Sequence, residues 1–507
     1  MPKNICIFCD GTWNSPADEA YGIPTPTNVY RLFEASQGQA ESDGKQITWY
    51  QPGVGALGGP WRRALEGATG TGIGANIRRA YTAIARHYEP NDKIFLFGFS
   101  RGAFTARSVA GMIERVGLIK QPTKQLIAQA YAKYKKSARS NREKLISNYK
   151  VGKDVRVHFV GVWDTVGALG FPMWGWSFNL LPFFGNSFHE LSPNQITDFV
   201  YHGLAMDEIR TSFMPTLWEE PPPETQTSQR PKVEQVWFRG VHSDVGGGYP
   251  DHELADITLS WMADCAKTHG LFIRENALST LKPDPMGRIH NSYKGPLWGN
   301  VAGWPRWFPP LNRSPSDPDS TKFGYLHESI FERERKLQAQ GRPERPLKTL
   351  CKDEVFKFDV RADQLWNATN LILESGATYE LTSEGWWQDF DDTPVDAEGQ
   401  DSKTESWIKK RTRFGRRAPK KPWMKLIGVF NYPREWSWEE RKIYLALKYL
   451  IMKDPEELVK ELMSIGKHHT KHIDPGKTGL LWVFANDWWK YYDNNTGSVL
   501  LTVKRIE

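Results

Sequence analysis

Several features that would classify a chain at once are missing from this one. No apolar run among its 507 residues is long enough to span a bilayer, so any membrane contact is expected to be peripheral. There are four cysteines, Cys6, Cys9, Cys265 and Cys351, too few for a disulfide framework and in keeping with a reducing compartment. Cys6 and Cys9 form a C-x-x-C, but they lie in "NICIFCD", which reads as a buried strand. Residues three apart on a strand face opposite ways, so neither a redox nor a zinc pair is expected. No secretory signal is visible, because a single Lys leads directly into core-like residues. The expected location is the cytoplasm of the producing cell. Charge of one sign is also scarce: 66 Lys and Arg against 59 Asp and Glu leave +7, which does not mark a nucleic-acid binder. Internal repeats are absent.

What is present is length, tryptophan and a change of pattern. A chain of 507 residues exceeds one small core and implies two domains. Many of its 22 Trp sit beside Pro or Gly, in stretches that read as loops. Over residues 1–270, short β-rich runs ("NICIFCD", "QITWYQ", "KIFLFGF", "VRVHFVGVWD", "EQVWFRGVH") alternate with helical stretches. Helices are expected near Asn76–Tyr88, Arg101–Val116, Thr123–Tyr134 and Asn194–Arg210. That alternation predicts an α/β fold, a mostly parallel sheet with helices on both faces. Residues 271–354, rich in Pro and Trp, read as an irregular connector or an extension of the first domain. Residues 355–507 switch to period-two runs separated by turns, which predicts a β-sandwich with a helical insertion at about 436–465. The basic run "KKRTRFGRRAPKK", 409–421, reads as a solvated loop, with contact to anionic lipid or nucleic acid as the alternative.

Chemistry concentrates at "KIFLFGFSRGAFTARSVAGMI". G-x-S-x-G alone means little, but here an apolar strand precedes Ser100 and a helix follows, as a nucleophile elbow requires. Gly98 and Gly102 stand where side chains would block strand and helix from approaching, and Ala103, Ala106 and Ala110 line the helix. A serine nucleophile needs a base and an orienting carboxylate, in the chain order Ser, Asp or Glu, His. Asp164 ends the apolar run "VRVHFVGVWD", and His242 follows "EQVWFRGV". Asp244 and Asp10 compete for the acid's place. The three glycines 246–248 are expected to let the backbone bend close to a ligand. The oxyanion hole should combine the backbone N–H of Arg101 with that of Gly11 or Thr12 in "FCDGTWN". Alternatively, that turn is a tight loop capped by Asp10.

Rival signals fail on their surroundings. "GVGALG" matches G-x-G-x-x-G but runs into Pro60 and Trp61, and "TGTGIG" lacks the P-loop spacing and lysine. "HHTKH" places His468 and His472 four apart without a strong third ligand. Between acid and base, residues 168–193 crowd aromatic and aliphatic side chains with Gly and Pro. They read as a lid or lipid-facing loop favouring acyl substrates, or else as a core-packing loop.

Seven stretches in order, "FCDGTWN", "YQPGVG", "TGTGIGANIRRAY", "FGFSRGAFTAR", "GVWDTVG", "HGLAMDEIR" and "VWFRGVHSDVGGGY", resemble the bacterial and fungal α/β-hydrolase family of type VI secretion lipase effectors, the Tle1-like phospholipases. The resemblance covers about residues 1–265 and implies a serine esterase cleaving phospholipid acyl esters, with Ser100, Asp164 and His242 as the triad. It implies no cofactor for catalysis, export without a cleavable signal peptide and an immunity protein as partner. Near the C-terminus, "VFANDWWKYYDNNTGSVLLTVKR" and "GATYELTSEGWWQD" resemble calcium-dependent galactophilic lectins of the PA-I type. That resemblance implies Ca2+ held by Asp487, the Tyr491 carbonyl, Asn494 and Asn495, with Asp389 at the position of a further carbonyl. An Asn-rich turn without an ion is the plainer reading. Sugar-contacting positions are not matched, so calcium is favoured over galactose, and glycan remains a candidate partner only. The leading expectation is an A-type phospholipase acting on lipid esters at a membrane surface, with no nucleic-acid partner. Its rival is a non-catalytic glycan- or membrane-binding protein built on a hydrolase-like platform.

Overall fold

In a computed structural model of the chain, the described residues are 2–11, 19–20, 22–38, 42–53, 71–137, 155–166, 196–210, 213, 215–218, 232–290, 324–340, 348–390, 392–400, 417–418, 420–431, 462–475, 477–487 and 492–507. Thr12, Tyr491 and the lid-like residues 168–193 lie outside them. So does nearly all of the expected helical insertion, although Leu462–Ser464 at its end is a strand. The chain forms two compact units: Met1–Glu208, Ser212–Ser292 and Asn312–Lys336, and Ile209–Thr211, Tyr293–Leu311 and Leu337–Glu507.

In the first unit, strands β1 (Asn4–Cys9), β4 (Gln46–Gln51), β5 (Lys93–Phe99), β6 (Val157–Trp163), β7 (Thr197–Ala205), β8 (Lys232–Phe238) and β9 (Tyr325–Leu326) form one sheet in the order β4-β1-β5-β6-β7-β8-β9. Every pairing in it is parallel. A minor hairpin, β2 (Glu19–Ala20) and β3 (Ile23–Pro24), stands apart. The described helices are α1 (Asn28–Ser36), α2 (Thr71–His87), α3 (Arg101–Val116), α4 (Lys124–Ser137), α5 (His242–Gly246), α6 (Glu253–Thr268) and α7 (Glu328–Ala339).

Strands covered on both faces need apolar residues at every position, which is why these runs are nearly continuous. In β1, Ile5, Ile7 and Cys9 enter the core shared with α2, α3 and α4, while Cys6 and Phe8 enter the core shared with α1 and α6. Cys6 and Cys9 therefore lie on opposite sides of the sheet, and neither forms a disulfide.

One expected helix is overturned. Within Asn194–Arg210 the chain forms strand β7, paired to β6 and β8. Val200 faces one core and Tyr201 and Ala205 the other. A strand buried on both faces lacks alternation, so periodicity alone cannot separate it from a helix. In the stretch after 270, β9 adds to the sheet edge, and α7 follows it.

The second unit is a pair of antiparallel four-stranded sheets. One has the order β10 (Val355–Arg361), β17 (Asn495–Arg505), β12 (Thr378–Asp389), β15 (His468–His472). The other runs β11 (Asn367–Leu373), β16 (Gly479–Ala485), β13 (Leu426–Asn431), β14 (Leu462–Ser464). Their inner faces share a core: Val360, Leu381, Val499 and Leu501 from the first meet Leu371, Phe430, Leu481 and Val483 from the second. This is the sandwich that the period-two pattern predicted.

The basic run is not simply a solvated loop. Arg417 is buried, its guanidinium 3.8 Å over the Trp366 ring and 3.4 Å over Phe484, and it donates to the Tyr492 hydroxyl at 3.1 Å. Flat, delocalised charge stacks on aromatic faces as a compact ammonium cannot. His468 and His472 lie on β15, an edge strand. Among the described residues no group of three or more His, Cys, Asp or Glu is placed to hold a metal.

Candidate active site

Ser100 occupies the junction of β5 and α3 with φ 57° and ψ −121°. A non-glycine residue reaches that region only when its surroundings enforce it. The enforcement comes from close approach. A Cβ on Gly98 would stand 2.5 Å from the Gly102 carbonyl oxygen, and one on Gly102 would stand 2.1 Å from the Cys9 oxygen. Neither contact is tolerable, so only glycine lets α3 start against the ends of β5 and β1. The Ser100 N–H donates to the Trp163 carbonyl at 3.1 Å, linking the turn to the end of β6.

Asp164 follows Trp163 immediately and is fully buried, with φ 40°. Its N–H donates to the Gly203 carbonyl at 2.8 Å, and its Oδ1 accepts from Ala205 N at 3.1 Å. Its Oδ2 lies 2.5 Å from His242 Nδ1. The neutral imidazole therefore donates from Nδ1 and keeps its lone pair on Nε2. The His242 ring is held by aromatic faces, tilted on Phe99 at 4.5 Å and edge-on to Phe213 at 4.8 Å. Ser100 directly follows Phe99 at the carboxyl end of β5, Asp164 directly follows β6, and His242 lies four residues beyond β8. Among the described residues the Ser100 hydroxyl makes no side-chain hydrogen bond, to the helix or to His242. Serine–histidine bonds are often long in sites without substrate.

The two competing acids are engaged elsewhere. Asp244 Oδ1 lies 2.6 Å from His290 Nδ1, and its Oδ2 accepts from Val241 N at 2.9 Å. Asp10 Oδ2 accepts from Thr27 and Tyr50 hydroxyls at 2.8 and 2.6 Å. Asp10 Oδ1 accepts the Gly11 N–H at 2.7 Å, so that amide already has an acceptor. Arg101 opens α3, where the first-turn N–H groups have no acceptor within the helix. Its side chain is buried, and desolvation pushes its pKa down to about 10.

Two of the glycines after His242, Gly246 and Gly247, stand in tight packing positions. A Cβ on Gly246 would strike the Phe99 ring at 2.0 Å, and one on Gly247 (φ 82°) would meet Asn28 N at 2.7 Å. Asn28, fully buried, donates to the Val245 and Ala255 carbonyls at 3.0 and 2.9 Å, tying α1 to the histidine loop. Sequence reasoning missed Glu208, buried with Oε2 3.3 Å from the His242 N–H. Its only signal was its place in "HGLAMDEIR".

In the second unit, the turn between β16 and β17 gathers oxygen donors. Asp487 is fully buried, and Asp389 and Asn495 are buried beside each other across the β12–β17 ladder. Asn495 Nδ2 donates to Asp487 Oδ2 at 2.9 Å, whereas the buried Oδ1 atoms of Asn494 and Asn495 have no hydrogen-bond partner. Buried amide oxygens without donors next to carboxylates suit a hard cation, for which such oxygens are ligands.

The fold of the first unit, with a strained serine at a strand–helix turn, is that of an α/β hydrolase. The chain belongs to a family of type VI secretion effectors: the family described as "T6SS, Phospholipase effector Tle1-like, catalytic domain" matches residues 3–265, just over half of the 507. An uncharacterized protein of Saccharomyces cerevisiae is 29% identical over 235 residues, 42% of this chain and 32% of that protein. The chain thus spans about a third of that relative's length. A solved, uncharacterized protein from Pseudomonas aeruginosa aligns with 67% of this chain and 51% of its own at 15% identity, TM-score 0.36. The Tle1 effector bound to the VgrG spike from the Type 6 secretion system aligns with 49% of this chain and 52% of its own at 21% identity, TM-score 0.28. The EclA N-terminal domain, a PllA-like lectin, aligns with 29% of this chain and 94% of its own at 16% identity, TM-score 0.19.

Proposed function

We propose that the chain is an A-type phospholipase acting through Ser100, Asp164 and His242. The observation that carries this reading is the 2.5 Å bond between Asp164 and the His242 ring that rests on Phe99, beside the strained Ser100. His242 Nε2 takes the proton as Ser100 Oγ attacks the acyl carbonyl, and Asp164 stabilises the imidazolium that forms. The oxyanion develops at the start of α3, where the Arg101 N–H meets it. His242 then passes its proton to the leaving alcohol, and water releases the acyl group by the same route. Membership of a phospholipase effector family supports a phospholipid as the ester. No described helix is long and apolar enough to cross a membrane, so a lipid substrate would be met at the membrane surface. Purified protein incubated with phospholipid vesicles is expected to release free fatty acid and lysophospholipid, and a fluorophosphonate to label Ser100. Head-group release without fatty acid, or no label on Ser100, would sink the reading.

We also propose a calcium ion held by Asp487, Asn494 and Asn495, with Asp389 adjoining. The two unpartnered amide oxygens support it. The ion would supply positive charge to a buried acidic turn. Binding at a hundredfold excess over Kd adds about 2.7 kcal/mol to the folded state. Calcium is therefore expected to raise the melting temperature of the second unit's transition, EGTA to reverse this, and Asp487→Asn to abolish the shift. Identical melting curves with calcium and with EGTA would remove the ion from this turn.

A further inference from the structure

Three consecutive backbone N–H groups leading into the proposed base are each taken by a carboxylate. Gly240 N donates to Asp207 Oδ2 at 2.6 Å, Val241 N to Asp244 Oδ2 at 2.9 Å, and His242 N to Glu208 Oε2 at 3.3 Å. Two of the acids have cationic or imidazole partners of their own. Asp207 pairs with Arg239 Nε at 2.9 Å, and Asp244 with His290, whose ring stacks on Tyr249 at 4.0 Å. Glu208 is fully buried, as Asp244 nearly is, and it is the acid that holds the histidine itself. It also directly follows Asp207 just beyond the end of β7, so one short segment supplies two of the three acceptors.

Taking a carboxylate fully out of water is costly and persists where specific donors require it there. A single loop amide needing an acceptor could use a carbonyl or water. Side-chain acceptors fixed on three amides in a row hold a backbone more tightly than exchanging water, because a satisfied buried network is rigid. A base must stay in register with its nucleophile, and a displacement of about 1 Å can cost on the order of a hundredfold in rate.

We infer that Glu208 is a positioning residue for ester hydrolysis: it fixes the His242 backbone, with Asp207 and Asp244 holding the two residues before it, so that the imidazole stays aligned between Asp164 and Ser100. This rests on the triad reading above. Glu208 touches no reacting atom and acts through His242.

The test uses the full chain and two readouts: kcat and KM on a short-chain ester, and the rate at which a fluorophosphonate labels Ser100. Glu208→Gln keeps an acceptor oxygen in place, and it is expected to stay within about threefold of wild type in both. Glu208→Asp keeps the charge but withdraws the oxygen by one methylene. It is expected to lose about ten- to a hundredfold in kcat and labelling rate, with KM unchanged. Melting curves verify that each variant is folded, and should Glu208→Asp not fold, Glu208→Ser, a smaller side chain without the acceptor at that reach, takes its place. Wild-type rates in the shortened variant, a loss that appears in KM alone, or failure of Glu208→Gln to retain activity would each overturn the assignment. Ser100→Ala run in parallel separates the two ideas. If it stays active, the triad is wrong; if it is dead while every Glu208 variant is normal, only the positioning role fails.

Discussion

Replacing Ser100 by alanine is expected to lower kcat for ester hydrolysis by about a millionfold, with folding unimpaired. On the proposed mechanism Ser100 Oγ forms the covalent intermediate, so without it there is no acyl-enzyme, and only oxyanion stabilisation and binding remain. Asp164→Asn should cost about ten thousandfold, because an amide facing His242 Nδ1 favours the wrong tautomer while leaving the packing intact. The double variant should be little worse than Ser100→Ala alone, since the members act as one unit. Alanine removes only the hydroxyl, keeps the Cβ at the same φ of 57°, and should leave the melting temperature near that of wild type. Hydrolysis by Ser100→Ala within tenfold of wild type would end the serine mechanism. Equal activity of Asp164→Asn and wild type would assign the orienting acid elsewhere.

The second large effect concerns stability. Gly102→Ala is expected to destabilise the first unit by about 3 kcal/mol. The new methyl would sit 2.1 Å from the Cys9 carbonyl oxygen and 2.5 Å from that of Asp10. Both are main-chain atoms, Cys9 being the last residue of strand β1, which is paired on both sides, and neither can rotate away as a side-chain tip can. Relief would require α3 to lift from the sheet, moving Ser100 with it. Activity should therefore fall together with the melting temperature. Gly376→Ala is the control: nothing lies within 4 Å of its Cβ position, and only its φ of 75° is unfavourable. That conformation costs about 1 kcal/mol for an L residue. Equal melting temperatures for Gly102→Ala and wild type would show that the helix start has slack.

The serine turn was legible in the sequence because its determinants are local. Gly98, Ser100, Gly102 and the alanines of α3 describe a strand, a turn and a close-packed helix within about twenty residues of chain. The C-terminal sandwich was legible for a similar reason: its strands have one inner and one outer face, so apolar and polar residues alternate. Strand β7 was not, because burial on both faces erases the alternation that marks a strand. Arg417 was misread as part of a solvated basic run, since only the fold brings Trp366 and Phe484 to either side of its guanidinium. That Gly246 and Gly247 admit Phe99 and Thr27–Asn28 from distant segments could not be read from the sequence either.

Three things, then, were determined by the sequence alone. They are a parallel sheet followed by a sandwich, a strand–turn–helix junction at Ser100, and an aspartate and a histidine just beyond strand ends. Each depends on contacts within a strand and its next turn, or on which residues end a strand. The tertiary structure decided how the acidic residues divide the work. Asp10, Asp164, Asp207, Glu208 and Asp244 are equivalent as letters. Asp164 meets the imidazole because the parallel strands β6 and β8 end at the same edge of the sheet, on either side of β7. Glu208 and Asp244 meet backbone amides, and Asp10 meets Gly11, Thr27 and Tyr50. A carboxylate's role is set by the donor that lies within 3 Å or so of it, and across a sheet that donor comes from chain far away in sequence.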